Sequence, residues 1–369
     1  MDTPGGVESR GRNVAPMSTQ TINHAIVGCG RIAPSHADAF RELSDASLAV
    51  FCDIEEAKAE ALAERFGGGQ RLSRYQDVLE DKAIDSVSLC VPHYLHDEYS
   101  KMALRAGKHV LVEKPFAIKT ERATELMNLA AEKGLVLQPV CQHRFDKVVQ
   151  HVREIVEQEL GEISMVRAHL ECHRKKEYYG ESEWRGRWET EGGSVLINQA
   201  YHVLDLLLWI AGPVKRLSAQ MDTLTGGDVM ETEDVFTAQL RFQNRALGSL
   251  TVNGASGAEW HSYIELCGTG GVVGFDIGYP NQVPRLRLQS RRAMKRWRDT
   301  FKELAASNPL PTVGLDYYGD SHRREAEAFV SSIKGLSSEF ASTPEQATEV
   351  VRTVSALYEA ARQGSWIEC

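Results

Sequence analysis

The sequence predicts an α/β protein of two domains, the first built on a doubly wound parallel sheet and the second on a large, mostly antiparallel open sheet. From residue 23 onwards, short apolar strands alternate with segments of helical periodicity, which is typical of a parallel sheet covered on both faces. After residue 160, strand-like segments with period-two alternation and short turns predominate. At 369 residues the chain also exceeds the size at which one hydrophobic core usually stops growing.

The first predicted strand ends in a glycine-rich turn. An apolar run at 25–27 leads into Gly28-x-Gly30-x-x-Ala33, and residues at helical spacing follow. Gly28 permits a tight turn, Gly30 lets the backbone approach a pyrophosphate, and the small Ala33 allows close packing of helix on strand. The free N–H groups at the start of the helix would face the phosphates. The turn therefore predicts a Rossmann domain that binds a dinucleotide.

An acidic residue ends the second predicted strand, "LAVFCD". Asp53 lies 23 positions after Gly30, close to the ~20 expected for the acid that binds a ribose 2′-hydroxyl. Because a carboxylate there would repel a 2′-phosphate, the sequence favours NAD over NADP. The alternative is that Asp53 caps the helix predicted in "IEEAKAEALAERF".

Two further predicted strands also end in polar residues. "DSVSLCV" leads to Pro92 and His93, and "KHVLVEKP" leads to Glu113 and Lys114. Ligands of doubly wound sheets sit beyond the carboxyl ends of the strands, so these residues are expected near the cofactor. Lys114 could donate a hydrogen bond to a substrate oxygen or stabilise developing alkoxide charge. The alternative is a solvated strand end.

A polar stripe lies on a helix predicted at about 195–211. Asn198, His202 and Asp205 are spaced i, i+4, i+7 and so share one face of "GGSVLINQAYHVLDLLLWIAG". Buried polar groups need partners, which are either other core groups or the hydroxyls of a substrate. Tyr201 is a competing acid/base candidate, although its side chain is turned about 100° away from that face.

The C-terminal half carries the strands of the second sheet: "EISMVRAHLECH", "VKRLSAQMDT", "DVFTAQLRF", "ALGSLTVNG" and "WHSYIELCG". Two helices are predicted at 320–334 and 344–363, the second beginning near Pro344. The basic segment 285–298 around Trp297 is interpreted as a solvated loop or helix face, with an anion or partner site as the alternative.

Composition narrows the possible partners. The formal net charge of −9 disfavours nucleic acid, and no apolar run approaches the ~20 residues that would cross a bilayer. The seven scattered cysteines indicate a reducing, cytoplasmic location, and we predict no metal site. Residues 1–22 are rich in Gly, Ser, Thr and Pro and are expected to form a disordered tail.

Six motifs in order resemble the Gfo/Idh/MocA family of oxidoreductases: "GCGRIAPSH", "CVPHYLH", "VEKPFA", "QHRF", "GGSVLINQAYHVLD" and "HRREAEAFVSSIKG". The resemblance implies an NAD-binding Rossmann domain at 23–141 and a substrate-binding and oligomerisation domain at 142–369. It implies hydride transfer between NAD and a secondary alcohol of a sugar, sugar acid or nucleotide-linked sugar. It further implies a homodimer or homotetramer formed through the C-terminal sheet.

The resemblance also assigns roles to residues. Lys114 matches the lysine of the family's EKP motif, and His202 matches the histidine that commonly accepts or donates the proton. Asn198 stands where the family often has an aspartate, and a neutral amide can only orient the substrate or the ring. The alternative is that Lys114 transfers the proton and His202 positions the substrate. "NQAYH" and "EWRGRWETEGG" are similar to members that act on nucleotide-linked sugars.

Two sets of binding residues follow from these motifs. Residues expected to contact the cofactor are Gly28, Gly30, Arg31, Ile32, Asp53, Pro92, His93, His96, Glu113 and Lys114. Those expected to contact the substrate are Gln142, Arg144, Trp184, Arg185, Asn198, Tyr201 and His202, where the arginines could meet a carboxylate or phosphate. Two other functions stay open, a cyclitol dehydrogenase and a regulatory protein that binds a dinucleotide without catalysis.

Overall fold

A computed structural model of the chain describes residues 21–180, 182–257, 260–278, 283–307, 319–336 and 338–369. The tail expected at 1–22 falls outside these ranges except for its last two residues. Within the described part, no helix is both long and apolar enough to span a membrane. All seven cysteines are free thiols.

The first sheet consists of six parallel strands in the order β3-β2-β1-β4-β5-β6. The strands are β1 (Ile22–Val27), β2 (Ala46–Cys52), β3 (Gln70–Leu72), β4 (Ser86–Leu89), β5 (His109–Val112) and β6 (Leu137–Pro139). This is the predicted doubly wound sheet. Since the strand order reverses between β1 and β4, a crevice forms beyond the carboxyl ends of these two strands.

Five helices connect these strands: α1 (Ala33–Arg41), α2 (Glu56–Arg65), α3 (Tyr75–Glu80), α4 (His93–Arg105) and α5 (Thr120–Lys133). Helix α5 ends at Gly134, whose φ of 65° is the left-handed conformation that favours glycine at a helix end. The apolar sides of the five helices cover both faces of the sheet, as the alternation of strands and helices in the sequence predicts.

The second sheet has eight strands in the order β13-β12-β11-β7-β10-β9-β8-β14. They are β7 (Ile163–Glu171), β8 (Val214–Asp222), β9 (Val235–Phe242), β10 (Leu247–Asn253), β11 (His261–Gly268), β12 (Gly271–Ile277), β13 (Arg285–Leu288) and β14 (Ile367–Glu368). The pairs are antiparallel except β7 with β10, which is parallel. The mostly antiparallel sheet is confirmed, while the sequence analysis missed the edge strands β13 and β14.

The remaining helical elements are a 3₁₀ turn (Gln142–Phe145), α6 (Lys147–Gln158), α7 (Lys176–Gly180), a π-helical turn (Val195–Gln199), α8 (Tyr201–Ala211), α9 (Arg291–Ser307), α10 (Gly319–Ile333) and α11 (Pro344–Gln363). Helix α11 begins with Pro344 in its first turn, as predicted, and the side chains of Thr343 and Gln346 form a capping box.

The single helix predicted at about 195–211 is wrong in its first turn. A π-helical turn ends at Gln199, and α8 begins only at Tyr201, with the main-chain N–H of Ala200 bonded to the carbonyl of Val195. The wider turn rotates Asn198 relative to a regular helix. Such turns often occur at functional sites.

The basic segment at 285–298 forms β13 and the start of α9, so the solvated helix face is confirmed and the loop is not. Trp297 is only 5% exposed and belongs to the core under the second sheet, while the basic side chains lie outside. The segment is therefore an amphipathic structural element.

The last two long helices pack on the first sheet. Phe329 and Ile333 of α10 join a core cluster with Phe40 of α1, and Ala347 and Val351 of α11 belong to the main core of that sheet. The C-terminal end of the chain thus completes the N-terminal unit.

Candidate active site

A cleft of about 1270 Å³ lies where the carboxyl ends of the first sheet meet the π-helical turn and α8. Its wall includes residues from both halves of the chain, among them Gly28, Asp53, Lys114 and His202. Sites for one drug-sized ligand usually measure about 300–1,000 Å³. The cleft therefore has room for a dinucleotide and a second ligand.

The glycine turn at one end of this cleft has the shape that a pyrophosphate needs. Gly28 has a φ of 85°, and a Cβ there would lie 2.4 Å from the carbonyl oxygen of Cys90. At Gly30 a Cβ would meet no described atom within 4 Å, so the backbone is open to the cleft. No described side chain caps α1, which leaves its first N–H groups for a phosphate. Arg31 and Ile32 line the same end of the cleft.

Asp53 lies at the end of β2 and braces this turn. One carboxylate oxygen accepts a hydrogen bond from the N–H of Cys29 at 2.7 Å, and the other accepts one from the N–H of Glu55 at 2.9 Å. The helix that follows begins at Glu56 with Glu55 as its N-cap, so Asp53 does not cap it directly. Asp53 still faces the cleft, where a ribose would lie.

A chain of buried hydrogen bonds runs from the core of the first sheet to Glu113. His24 bonds to Ser88 at 2.8 Å, Ser88 bonds to Nδ1 of His36 at 3.1 Å, and Nε2 of His36 lies 2.9 Å from Glu113. Burial raises the pKa of Glu113, but the hydrogen bond and charge of His36, with the charges of His322 and Lys114, lower it to about 2. Glu113 is thus a fixed carboxylate directly before Lys114.

The side chains of His36, Glu113 and His322 converge, and one possible metal-ligating atom from each lies within 4.8 Å of the other two. One oxygen of Glu113 already bonds to His36, and the other accepts from the main-chain N–H of Lys114 at 3.1 Å. We interpret the group as a hydrogen-bonded anchor for the EKP segment.

Both histidines at the start of α4 line the cleft, but their hydrogen-bond partners differ. His93 lies on the wall of the cleft, with its ring 4.7 Å from that of Trp184 and Nδ1 3.0 Å from the carbonyl oxygen of Glu191. Both ring nitrogens of His96 contact main-chain carbonyls, those of Pro115 and Val91. His96 therefore holds the loop that carries Lys114, and Pro92 caps the helix beside it.

Lys114 and Asn198 are joined across the two halves of the chain. The Nζ of Lys114 donates to the side-chain oxygen of Asn198 at 2.8 Å and to its main-chain oxygen at 2.9 Å. A lysine ammonium has three N–H groups, so one remains for a ligand in the cleft. Burial lowers the pKa of Lys114, while the charges of Glu113 and Glu191 oppose this change.

His202 faces the same part of the cleft from the first turn of α8. Its Nε2 lies 3.4 Å from the amide nitrogen of Gln142, and its ring packs edge-on against His143 at 4.9 Å. Burial, and then the charges of His143, Lys114 and His322, lower the pKa of His202 well below 6.5. A neutral imidazole is therefore favoured near neutral pH, and such a ring is free to accept a proton.

Two of the expected substrate contacts are wrong. Arg144 is 1% exposed and points into the core, where its Nε donates to Asp205 at 2.9 Å and its Nη1 to Gln346. Tyr201 is fully buried and does not reach the cleft wall. Asp205 was expected on the stripe with His202, but it is occupied by Arg144. An internal ion pair and the turn of α8 explain both errors.

The other expected contacts lie on the cleft wall, together with residues that the sequence analysis missed. Gln142, Trp184, Arg185, Asn198 and His202 all line the cleft. The missed residues include Arg174, Tyr178, Gln199 and Trp260. Arg174 follows β7 and Trp260 directly precedes β11, but no local pattern indicated that these strand ends would reach the cleft.

Two stretches of the chain match one protein family. Residues 22–140 match the oxidoreductase family with an NAD-binding Rossmann fold, GFO_IDH_MocA, and residues 149–273 match the GFO/IDH/MocA C-terminal domain. The chain belongs to the Gfo/Idh/MocA family. It is an oxidoreductase of CH–OH groups that uses NAD, and the glycine turn and Asp53 fit that cofactor.

Relatives within the Gfo/Idh/MocA family cover almost the whole chain. D-glucoside 3-dehydrogenase of Escherichia coli is 28% identical over 95% of this chain and 99% of its own. The WlbA dehydrogenase of Bordetella pertussis, solved with NADH and UDP-GlcNAcA, is 27% identical with a TM-score of 0.85 over 96% of this chain and 99% of its own. The WlbA dehydrogenase of Chromobacterium violaceum, also solved with NADH and UDP-GlcNAcA, is 29% identical with a TM-score of 0.85 over 96% and 97%.

Proposed function

We propose that this protein oxidises a secondary alcohol of a sugar that carries an anionic group, either a sugar acid or a nucleotide-linked sugar, with NAD as hydride acceptor. In this proposal the unit at 23–141 binds NAD and the unit at 142–369 binds the sugar. The ligands named for the WlbA relatives, NADH with UDP-GlcNAcA, agree with this substrate class.

A pair of arginines that form no ion pair within the described residues carries the proposal, although the charge of Arg185 lies near enough to Glu191 to act on its pKa. Arg174 and Arg185 both line the cleft, and neither forms an ion pair with any residue that the structure describes. Their guanidinium groups lie 5.0 and 4.3 Å from the ring centre of Tyr178, which orients them. Arginines in a cleft without a carboxylate partner favour a ligand that brings the negative charge.

The reacting hydroxyl group of the sugar would lie between Lys114 and His202. The free N–H of Lys114 would donate to the reacting oxygen and stabilise the charge that develops on it. His202, as a neutral imidazole, would accept the hydroxyl proton at Nε2, where the substrate hydroxyl would replace the 3.4 Å contact from the amide of Gln142. NAD, when bound, supplies the acceptor for the hydride. The opposite assignment of the proton to Lys114 requires a neutral amine. Burial lowers the pKa of Lys114 and favours this form, while the charges of Glu113 and Glu191 act against it.

The test compares matched neutral and anionic sugars. NADH formation would be followed by ultraviolet absorbance with D-glucose, D-glucuronate and their UDP-linked forms. We expect kcat/KM to be higher for an anionic than for a neutral sugar by about tenfold or more, as one charge-assisted hydrogen bond contributes. The Arg174→Met and Arg185→Met variants should lose this preference.

The control is Arg187→Met, because Arg187 is half exposed, pairs with Glu231 at 3.9 Å and is not among the residues that line the cleft. This variant should keep the preference. A neutral sugar or cyclitol turned over best by the wild type would contradict the anionic class and favour the cyclitol alternative. NAD binding without turnover of any probe would favour a regulatory protein.

The open face of the second sheet supports a second part of the proposal, a homo-oligomer. Met165 of β7 and Leu247 of β10 are register partners and are 37% and 49% exposed, so they form an apolar patch. Light scattering of the wild type and of Met165→Glu measures the assembly. A monomeric wild type would contradict it.

A further inference from the structure

Glu191 is a fully buried carboxylate at the end of the loop that precedes the π-helical turn. Its Oε1 accepts a hydrogen bond from the Nδ2 of Asn198 at 2.6 Å, and its Oε2 accepts one from the main-chain N–H of Gly186. Both oxygens therefore face N–H donors. That geometry suits an ionised carboxylate and leaves no acceptor for a carboxylic proton.

The amide of Asn198 connects this carboxylate to the reactive lysine. Its Nδ2 points to Glu191, and its Oδ1 points to the Nζ of Lys114. If Glu191 were protonated, the amide would have to turn over to accept that proton. Its N–H groups would then face the Lys114 ammonium, which has no acceptor. A protonated Lys114 thus favours ionised Glu191, because only this orientation of the Asn198 amide presents its side-chain oxygen to the ammonium.

We propose that Glu191 is a positioning residue that acts through the Asn198 amide to keep Lys114 protonated and aimed at the reacting oxygen. The inference rests on the proposed function, since it concerns the lysine of the same site. Position 198 carries an amide here and not an acid, and Glu191 supplies the negative charge instead. That charge reaches Lys114 through the side-chain amide of Asn198, which lies between them. Asn198 is then the connecting group of a three-residue unit.

Other charged and titratable groups face this unit and are part of its electrostatics. Around Lys114 they are Glu113, Arg174, Arg185, His93, His96 and His202, and around Glu191 they are Arg185, Glu233, Tyr179 and Tyr358. The hydroxyl of Tyr178 also accepts a hydrogen bond from the Nδ2 of Asn198, at 3.3 Å. Burial raises the pKa of Glu191 to about 7, while Gly186 and Asn198 act against this rise. The ionised state of Glu191 therefore depends on the hydrogen bonds described above.

The experiment measures the titration of Lys114 directly, without substrate. Reductive methylation of Lys114 at a series of pH values, quantified by mass spectrometry, reports the fraction of neutral amine. In Glu191→Gln we expect the titration to move to lower pH by about one unit or more, because an opposing charge is lost. The basic limb of the kcat/KM profile should move by the same amount, with little change in the Kd for NAD.

A second substitution separates positioning from general damage to the site. In the double variant Glu191→Gln, Asn198→Asp, a carboxylate contacts Lys114 directly, so the titration should return toward that of the wild type. Glu189→Gln is the matched control, because Glu189 is exposed two residues away. If Glu191→Gln does not fold, Asn198→Leu breaks the same connection and should shift the titration in the same direction.

An unchanged titration of Lys114 in a folded Glu191→Gln, or no recovery in the double variant, would overturn the inference. The methylation readout needs no sugar. Failure of every anionic sugar as a substrate would therefore contradict the proposed function and still leave this result interpretable.

Discussion

Arg144 and Asp205 form a buried ion pair that joins the 3₁₀ turn to α8, with Nε of the arginine 2.9 Å from the aspartate. Both side chains are about 2% exposed. We expect Asp205→Asn to lower the free energy of unfolding by about 3–5 kcal/mol, because it leaves a buried guanidinium without its counter-charge. Urea denaturation measures this. Asp38→Asn, in exposed pairs with Arg41 and Arg65, should cost less than about 1 kcal/mol.

Removing the amine of Lys114 should separate catalysis from cofactor binding. Lys114→Met keeps the length of the side chain but loses the N–H that would stabilise the reacting oxygen. We expect kcat to fall by about 10²–10³-fold, as for other donors to a developing oxyanion. The Kd for NAD, measured by quenching of tryptophan fluorescence, should change little. Near-normal turnover would exclude Lys114 from the mechanism.

The pH profile tests His202 as the base. Burial and nearby cations lower the pKa of His202 well below 6.5. We therefore expect kcat to decrease only at pH values below 6.5. In His202→Asn this acid limb should disappear, and the remaining activity should be low at all pH values. If the variant keeps the limb, another group is the base.

The two glycines of the turn should respond differently to the same substitution. Gly28→Ala should lower stability by about 1–3 kcal/mol through backbone strain, before its clash with Cys90 is counted. Gly30→Ala adds a methyl group to open space, so the melting temperature should hold while the Kd for NAD rises roughly tenfold. Equal effects of the two variants on stability would contradict the geometry of the turn.

His109 should make stability depend on pH. Burial lowers its pKa to about 4, and its Nδ1 accepts a hydrogen bond from the N–H of Val136. A histidine with a lowered pKa stabilises the fold above pH 6.5, and this contribution is lost as the pH falls towards 4. The loss should approach ~3 kcal/mol. In His109→Gln, urea unfolding at several pH values should show that the free energy of unfolding falls less steeply as the pH is lowered. An identical slope in the variant and the wild type would contradict the assignment.

The sequence predicted the parts of the site that depend on local patterns. Gly28, Gly30 and Asp53 form a short motif, and Lys114 ends a strand, so their positions follow once the sheet is known to be parallel. Arg144 could not be placed in this way. Its partner Asp205 lies 61 residues away, and nothing near either residue shows that they meet.

Glu191 was missed for a related reason. In "ETEGG" it follows another glutamate in a stretch that resembles an exposed loop, yet Glu189 is exposed and Glu191 is fully buried. What distinguishes them is the three-dimensional position of Asn198 and Gly186. The π-helical turn was missed as well, since one extra residue in a helical turn leaves the apolar pattern almost unchanged.

The packing of α10 and α11 on the first sheet has a consequence for biosynthesis. Phe329, Ile333 and Val351 complete the core around β1 and β5, but the ribosome adds them after every strand of the second sheet except β14. The N-terminal unit of the nascent chain therefore keeps apolar surface exposed to solvent until α10 and α11 have been synthesised. A shortened gene that ends after β6 should yield an aggregating fragment, whereas one that appends residues 319–369 through a linker should yield more soluble protein.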